Sequence, residues 1–308
     1  MSYQLRKGET LGDGLRRICR KQIEAAIAVA SGEKKGSDTP VHQMRKHLKK
    51  TRAALRLVRK EIGAGLFREQ DHCLRDVGRL TSEIRDAEVR LQTVRELQGV
   101  NQRRRRGAYP KLEELLILEL ENFMAAFAEW QTQAVPILER ACANIDCWPL
   151  EHFNCKQLRR AVQRSYKSGR KALACAQATP IAENFHRFRT RAKRLWYDLR
   201  ILRPVNPVVL KNLTDDLDAL GNLLGRAHDL SFLADRLRRE ERNSDWEREG
   251  HKLLAVIEVS QGDLQRGAAE LAEHFFAERP RDFGDRIGSW LEDWENNAAQ
   301  SIPEELFA

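Results

Sequence analysis

The chain has 308 residues, enough for one large domain or two smaller ones. Apolar residues make up 42% and charged residues 32%, which excludes a disordered chain, and no run of about 18 apolar residues offers a membrane span. The net charge of +9 hides an uneven spread: from Glu240 onward there are 17 acids against 7 bases, so residues 1–239 carry +19 and will attract polyanions.

Helical periodicity runs along the chain without convincing strand alternation. It predicts helices over 11–31, 40–61, 66–98 and 109–143, a break at 144–154, and then helices over 155–177, 180–203, 207–240, 246–278 and 283–298. Thr39-Pro40, Thr179-Pro180 and Asn206-Pro207 each set a capping side chain before a proline at the first helical position. Arg103 to Arg106 form a basic run ahead of Pro110. Six cysteines, at 19, 73, 142, 147, 155 and 175, include no CxxC pair and read as buried reduced thiols of a cytoplasmic protein. The N-terminus MSYQLRKGET has no apolar core of a signal peptide.

The two halves repeat. An offset of 144 lays Val41-His42-Gln43-Met44-Arg45 on Phe185-His186-Arg187-Phe188-Arg189, and Lys49, Leu55, Arg56 and Arg59 on Lys193, Leu199, Arg200 and Arg203. An offset of 143 lays Leu74–Gly78 on Leu217–Gly221 and Asp86 on Asp229. A loop indel between neighbouring helices gives such a one-residue change. The expected fold is therefore all-α: two antiparallel four-helix bundles, 1–148 and 149–308, from an internal duplication and related by an approximate two-fold axis. A short C-terminal helix ends the second half.

The chemistry lies beside the core stripe. In 41–60, Val41, Met44, Leu48, Thr51, Leu55 and Val58 alternate by three and four residues and face the core. One residue further on, His42, Arg45, Lys49, Arg52, Arg56 and Arg59 form a second stripe about 100° round the helix. Lys46, Lys50 and Lys60 widen it, and no acid occurs from Val41 to Lys60. The second copy sets His186, Arg189, Lys193, Arg200 and Arg203 beside its core stripe, adds Arg187, Arg191 and Arg194, and carries Asp198 as its one acid. Trp196 stands where the first copy has Arg52. Like charges at these spacings cost about 0.2–0.5 kcal/mol per pair, a cost that acids on partner helices or a bound anion would offset. The stripe spans about 26 Å, too long for one nucleotide and suited to an extended chain of phosphates gripped by Arg and Lys. A third basic element, Lys156, Arg159, Arg160, Arg164, Lys167, Arg170 and Lys171, would join the same groove if its helix packs beside the stripes.

No P-loop, glycine-rich nucleotide motif or HExxH occurs. Asp86 and Asp229 read as structural partners of arginines rather than catalysts. His42 with His47, and His72 with Cys73, lack metal-ligand spacing, and His42 and His186 stand among cations. No catalytic residue, metal site or cofactor is expected. Nucleic acid is the second reading of the basic groove, disfavoured because only Trp196 and Tyr197 interleave the stripes for base stacking.

The stretches VHQMRKHLKKTRAAL (Val41–Leu55) and FHRFRTRAKRLWYDL (Phe185–Leu199) resemble the two signature helices of the CHAD domain, the conserved histidine α-helical domain. SYKSGRKAL (Ser165–Leu173) and VGRLTSEIRDAEV (Val77–Val89) are similar to its other basic motifs, with Leu220–Leu230 as the paler repeat of the latter. The resemblance covers nearly the whole chain. It implies two four-helix bundles and binding of inorganic polyphosphate. By position the contacts would come from His42, Arg45, Lys49, Lys50, Arg52 and Arg56, from His186, Arg189, Lys193, Arg194 and Arg200, and from Lys167, Arg170 and Lys171. Other proteins at polyphosphate granules are candidate partners. The sequence departs from the family at Lys46 and Thr51, where small or apolar residues are usual, and at Trp196. That last change predicts one lost phosphate contact, with the first half and Lys167–Lys171 gripping hardest. No Glu-x-Glu-x-Lys motif of a triphosphate-tunnel domain is present, so a stand-alone domain is expected.

Overall fold

Capping side chains set several of the helix starts. In a computed structural model describing residues 3–33, 38–103, 109–239 and 247–299, the Thr10 side chain accepts from the Asp13 N–H at the start of α1 (Leu11–Ala30). Thr39 does the same for His42 at α2 (Pro40–Leu57). Asn154 and Gln157 form a reciprocal capping box at α7 (Cys155–Ala178). Thr179 behaves otherwise than expected. It closes α7, and its carbonyl accepts from Asn184 in the turn that leads to α8 (Ala182–Leu202), which starts without a side-chain cap. Asn206 accepts from the Val209 N–H at α9 (Pro207–Arg239).

Every regular element among the described residues is helical, eleven in all. Two expected helices of the first half divide. The 66–98 segment becomes α3 (Ala64–Leu80) and α4 (Ser82–Arg103), broken at Thr81, while its counterpart α9 runs unbroken. The Ser82 hydroxyl donates to the Arg79 carbonyl, a local bond that competes with the helical ladder, and the repeat position of Thr81 is Leu224. The 109–143 segment becomes α5 (Pro110–Ala126) and α6 (Trp130–Ala143). They separate because they serve different neighbours: α5 packs on α4, and α6 packs on α1 and α3. In the second half α10 (Glu247–Phe275) packs on α9, and α11 (Pro280–Ala299) packs on α7.

The halves pair their helices in the same order. α1 packs on α2 and α6 as α7 packs on α8 and α11, and α2 meets α3 as α8 meets α9. They join where α2 touches α8 and α7, and where α4 touches α9. Apolar side chains of both halves share two cores. The larger runs from Leu15 and Met44 through Trp148 to Phe188 and Leu199; the smaller joins Leu91, Val94 and Leu116 to Leu233, Leu237 and Ile257. The chain start lies along α8, with the Leu5 N–H donating to the Ile201 carbonyl and Tyr3 buried. No helix among the described residues is long and apolar enough to cross a membrane. All six cysteines are free thiols; Cys19, Cys73 and Cys155 are buried, Cys142 and Cys175 half-buried, and Cys147 is exposed.

Candidate polyanion site

Packing the core fixes the stripes. Val41, Met44, Leu48, Thr51 and Leu55 are buried on α2, and Phe188, Ala192, Leu195 and Leu199 on α8. The cations one residue further along are thereby held at the flank, where α2 and α8 meet. Lys49 shows the result. It is exposed to solvent in a trough whose near side is a groove of about 240 Å³, lined by Arg45, Lys49 and Arg52 of α2 and by Arg75, Gly78 and Arg79 of α3. Burial, and then the charges of Arg189, Arg45, Arg85 and Lys193, push its ammonium down to about 8. Lys49 thus lies in the field of cations from both halves.

The trough is walled by α3, α4 and α9. Arg45 donates to the Gly78 carbonyl, and Lys193 lies 3.7 Å from Asp218. Lys193 also lies flat on Gly221, where a Cβ would stand 2.7 Å from its Cε, and the Arg189 guanidinium passes over Gly225. Asp86 and Asp229 are half-buried, and burial raises both carboxyls against the pull of Arg45 and Arg189 respectively. Neither makes a direct ion pair among the described residues, so they act on the arginines through space rather than as clamps. No group of three or more His, Cys, Asp or Glu suited to a metal ion occurs among the described residues.

The histidines differ between halves. His42 lies 3.8 Å from Asp38 and feels Arg85; burial and then Arg85 lower its pKa. His186 instead meets His228, Nδ1 to Nδ1 at 3.3 Å, with rings 4.5 Å apart. Burial and then Arg189 lower both, His228 to about 4. At the 143 offset His228 is the counterpart of Arg85, so a fixed charge in one half faces a titratable one in the other. Arg85 and His228 were not among the residues expected at the site. The signal was present, since each directly precedes the paired Asp86 or Asp229.

Other expected contacts take different places. Arg52 binds Asp71 through two parallel bonds, and Arg56 reaches the same carboxylate at 3.3 Å. Trp196, in the Arg52 position, has Lys193 4.7 Å and Arg200 4.5 Å from its ring. Lys50 lies beside Tyr3, with its Nζ 5.8 Å from the ring. On α7, Lys167 and Lys171 are exposed. Arg170 faces the other way and donates to the Glu278 carbonyl beside α11, where Arg159 pairs with Asp285. Arg164 is the α7 cation that joins the stripes, lining a cavity of about 520 Å³ with Arg56, Arg59 and Arg194.

The family model of the CHAD domain matches residues 17–238. The chain belongs to the CHAD domain family. The match takes in α2, α8 and most of α9, the helices that form the trough. Among solved structures, the crystal structure of the CHAD domain from the plant Ricinus communis is 22% identical, with a TM-score of 0.57 over 95% of this chain and 93% of that one. PptA from Streptomyces chartreusis is 16% identical, with a TM-score of 0.56 over 86% of this chain and 97% of that one. At these identities the likeness concerns the fold. No curated protein matches the chain.

Proposed function

We propose that this CHAD domain binds inorganic polyphosphate, without catalysis, in the trough where α2 and α8 meet. The observation that carries the reading is the packing of α2 on α8, which sets Lys49 of one half in the field of Arg189 and Lys193 of the other as well as of Arg45 and Arg85. Like charges held this close destabilise the empty protein, and a flexible polyanion would relieve them. Asp218 pairs with Lys193, while Asp86 and Asp229 make no direct ion pair among the described residues, so the cations of the cluster outnumber the acids paired with them. The ring of Trp196 lies against Lys193 and Arg200, an arrangement that favours phosphates over stacked bases. The matching helix order of the halves supports the further proposal that two bundles arose by duplication about an approximate two-fold axis. On this reading the ligand is met in the cytoplasm, at polyphosphate granules and beside other proteins held there.

Competition binding tests the reading. Long-chain polyphosphate should displace duplex and single-stranded nucleic acid at matched phosphate and physiological salt, and binding should weaken steeply as salt rises. Nucleic acid winning at matched phosphate overturns it. Arg45→Glu with Arg189→Glu should abolish binding while circular dichroism retains the helical signal.

A further inference from the structure

The cavity between α2, α7 and α8 differs from the open trough. Cations enter it from several sides: Arg56 from α2, Arg59 and Lys60 from the turn just beyond its end, Arg164 from α7 and Arg194 from α8. Ser165 and Ser168 add hydroxyls from α7. Behind them lies Asp198, wholly buried and not itself part of the lining, with no hydrogen bond of normal geometry to either oxygen among the described residues. Nε of Arg194 is also buried without a partner. A buried guanidinium N–H without a partner, on a residue that lines the cavity, marks a place where a polar ligand would complete the bonding.

The corresponding place in the other half is closed. At the 144 offset, Lys50 and Arg200 correspond to Arg194 and Arg56. Tyr3 sits between them, its hydroxyl donating to the Lys50 carbonyl at 2.9 Å and its ring 5.9 Å from the Arg200 guanidinium. The chain therefore fills one copy with its own N-terminal segment and leaves the other open.

We propose that the open pocket is a site for a phosphate end group, a phosphoryl carrying three free oxygens, where a chain lying along the α2 stripe terminates. The proposal rests on the polyphosphate reading for its ligand class and adds which part of the ligand enters. An interior unit of the chain has two free oxygens and two bridging ones. An end group has three, and it carries extra negative charge near neutral pH. Donors on three sides suit three free oxygens, and Arg56 with Arg59 are the last members of the stripe that begins at His42. Asp198 fits the same chemistry. Burial raises its carboxyl to about 7 against the Ser165 hydroxyl, Arg194 and Arg56, so behind the lining its negative charge, which would oppose a phosphoryl group, is partly removed near neutral pH. Tyr3, the remaining group that senses the Asp198 charge, is itself held neutral by burial.

Calorimetric titration of the full chain with three probes decides the matter: pyrophosphate, which is all end groups; linear polyphosphate with free ends; and the same chains capped as phosphoramidates. Pyrophosphate should bind, and Arg164→Ala should weaken it about tenfold, the effect of losing one charge-assisted hydrogen bond. Long chains should weaken far less, because most of their contacts lie in the trough. Capping should weaken short chains about tenfold as well, for the same lost bond. Arg164→Lys, which keeps the charge on an exposed helix face, should recover part of the loss. Equal pyrophosphate binding by wild type and Arg164→Ala, or equal binding of capped and free chains, overturns the end-group site even if long chains bind. Arg164-dependent pyrophosphate binding without long-chain binding would keep the pocket and overturn the trough reading.

Discussion

Arg52 holds Asp71 in a bidentate pair, Nε to Oδ1 at 2.8 Å and Nη2 to Oδ2 at 3.0 Å. At the repeat offsets this pair becomes Trp196 and Thr214. The matching positions of the second half thus lack both the cation and the acid facing it, and Trp196 is not simply a missing phosphate contact. Asp71→Asn should remove the acid and release Arg52 and Arg56 toward the ligand. Polyphosphate affinity should rise severalfold, while stability falls by about 1–2 kcal/mol for the lost charged hydrogen bonds at a half-buried site. Titration calorimetry and urea unfolding together check this; unchanged affinity would mean that these arginines do not touch the ligand.

Lys49 should trade stability against binding. Its ammonium is pushed down to about 8, below the usual lysine value, so the charged form disfavours the fold. That destabilisation is present below pH 8 and lifts as pH rises from about 8 toward the unfolded value near 10.4. Lys49→Met should therefore raise the melting temperature at pH 7 while weakening polyphosphate about tenfold through loss of a charged contact. In the wild type, affinity should fall as pH rises through 8, because the bound polyanion holds the proton that the free protein loses.

The His186–His228 pair gives the second half an acid-side response. Both pKa values lie below the ordinary histidine value, His228 at about 4, so both rings are neutral at pH 7 in the free protein. Stability should fall as pH drops from about 6.5 toward 4, because the unfolded histidines take up protons first. A bound polyanion reverses the sign by favouring the charged rings, so affinity should rise over the same interval. His228→Arg, which reproduces the Arg85 position of the first half, should strengthen binding at pH 7 and flatten the rise. A pH profile equally steep in that variant would remove the pair from the site.

Two glycines at matching positions should respond differently. A Cβ at Gly78 would meet only Leu48 Cδ1, at 4.0 Å, and Gly78→Ala should stabilise its helix by about 0.5–1 kcal/mol with unchanged binding. A Cβ at Gly221 would stand 2.7 Å from Lys193 Cε. The flexible lysine can swing aside, so Gly221→Ala should fold normally yet bind polyphosphate severalfold more weakly. Crystal structures and titrations of both variants check this. Equal affinities would show that Lys193 needs no groove in α9.

Local periodicity was enough to read α1, α2, α7, α8 and α9 and to place the cationic stripes beside the buried ones, because both follow from 3.6 residues per turn. The offsets of 144 and 143 pair His42 with His186 and Asp86 with Asp229 from the residues alone. The breaks at Thr81 and at 127–129 were not legible, since side-chain bonds and competing helix partners override a continuous apolar pattern. Charge partners were not legible either. Arg170 shares a helix with Lys167 and Lys171, yet it points to Glu278 because its face of α7 covers α11. Composition and periodicity by themselves determined an all-helical chain with basic flanks. Only the packing of α2 on α8 decided that Lys49 would lie in the field of Arg189 and Lys193, because the field at a charge depends on which distant helices pack nearby, and helical spacing along one helix does not contain that information.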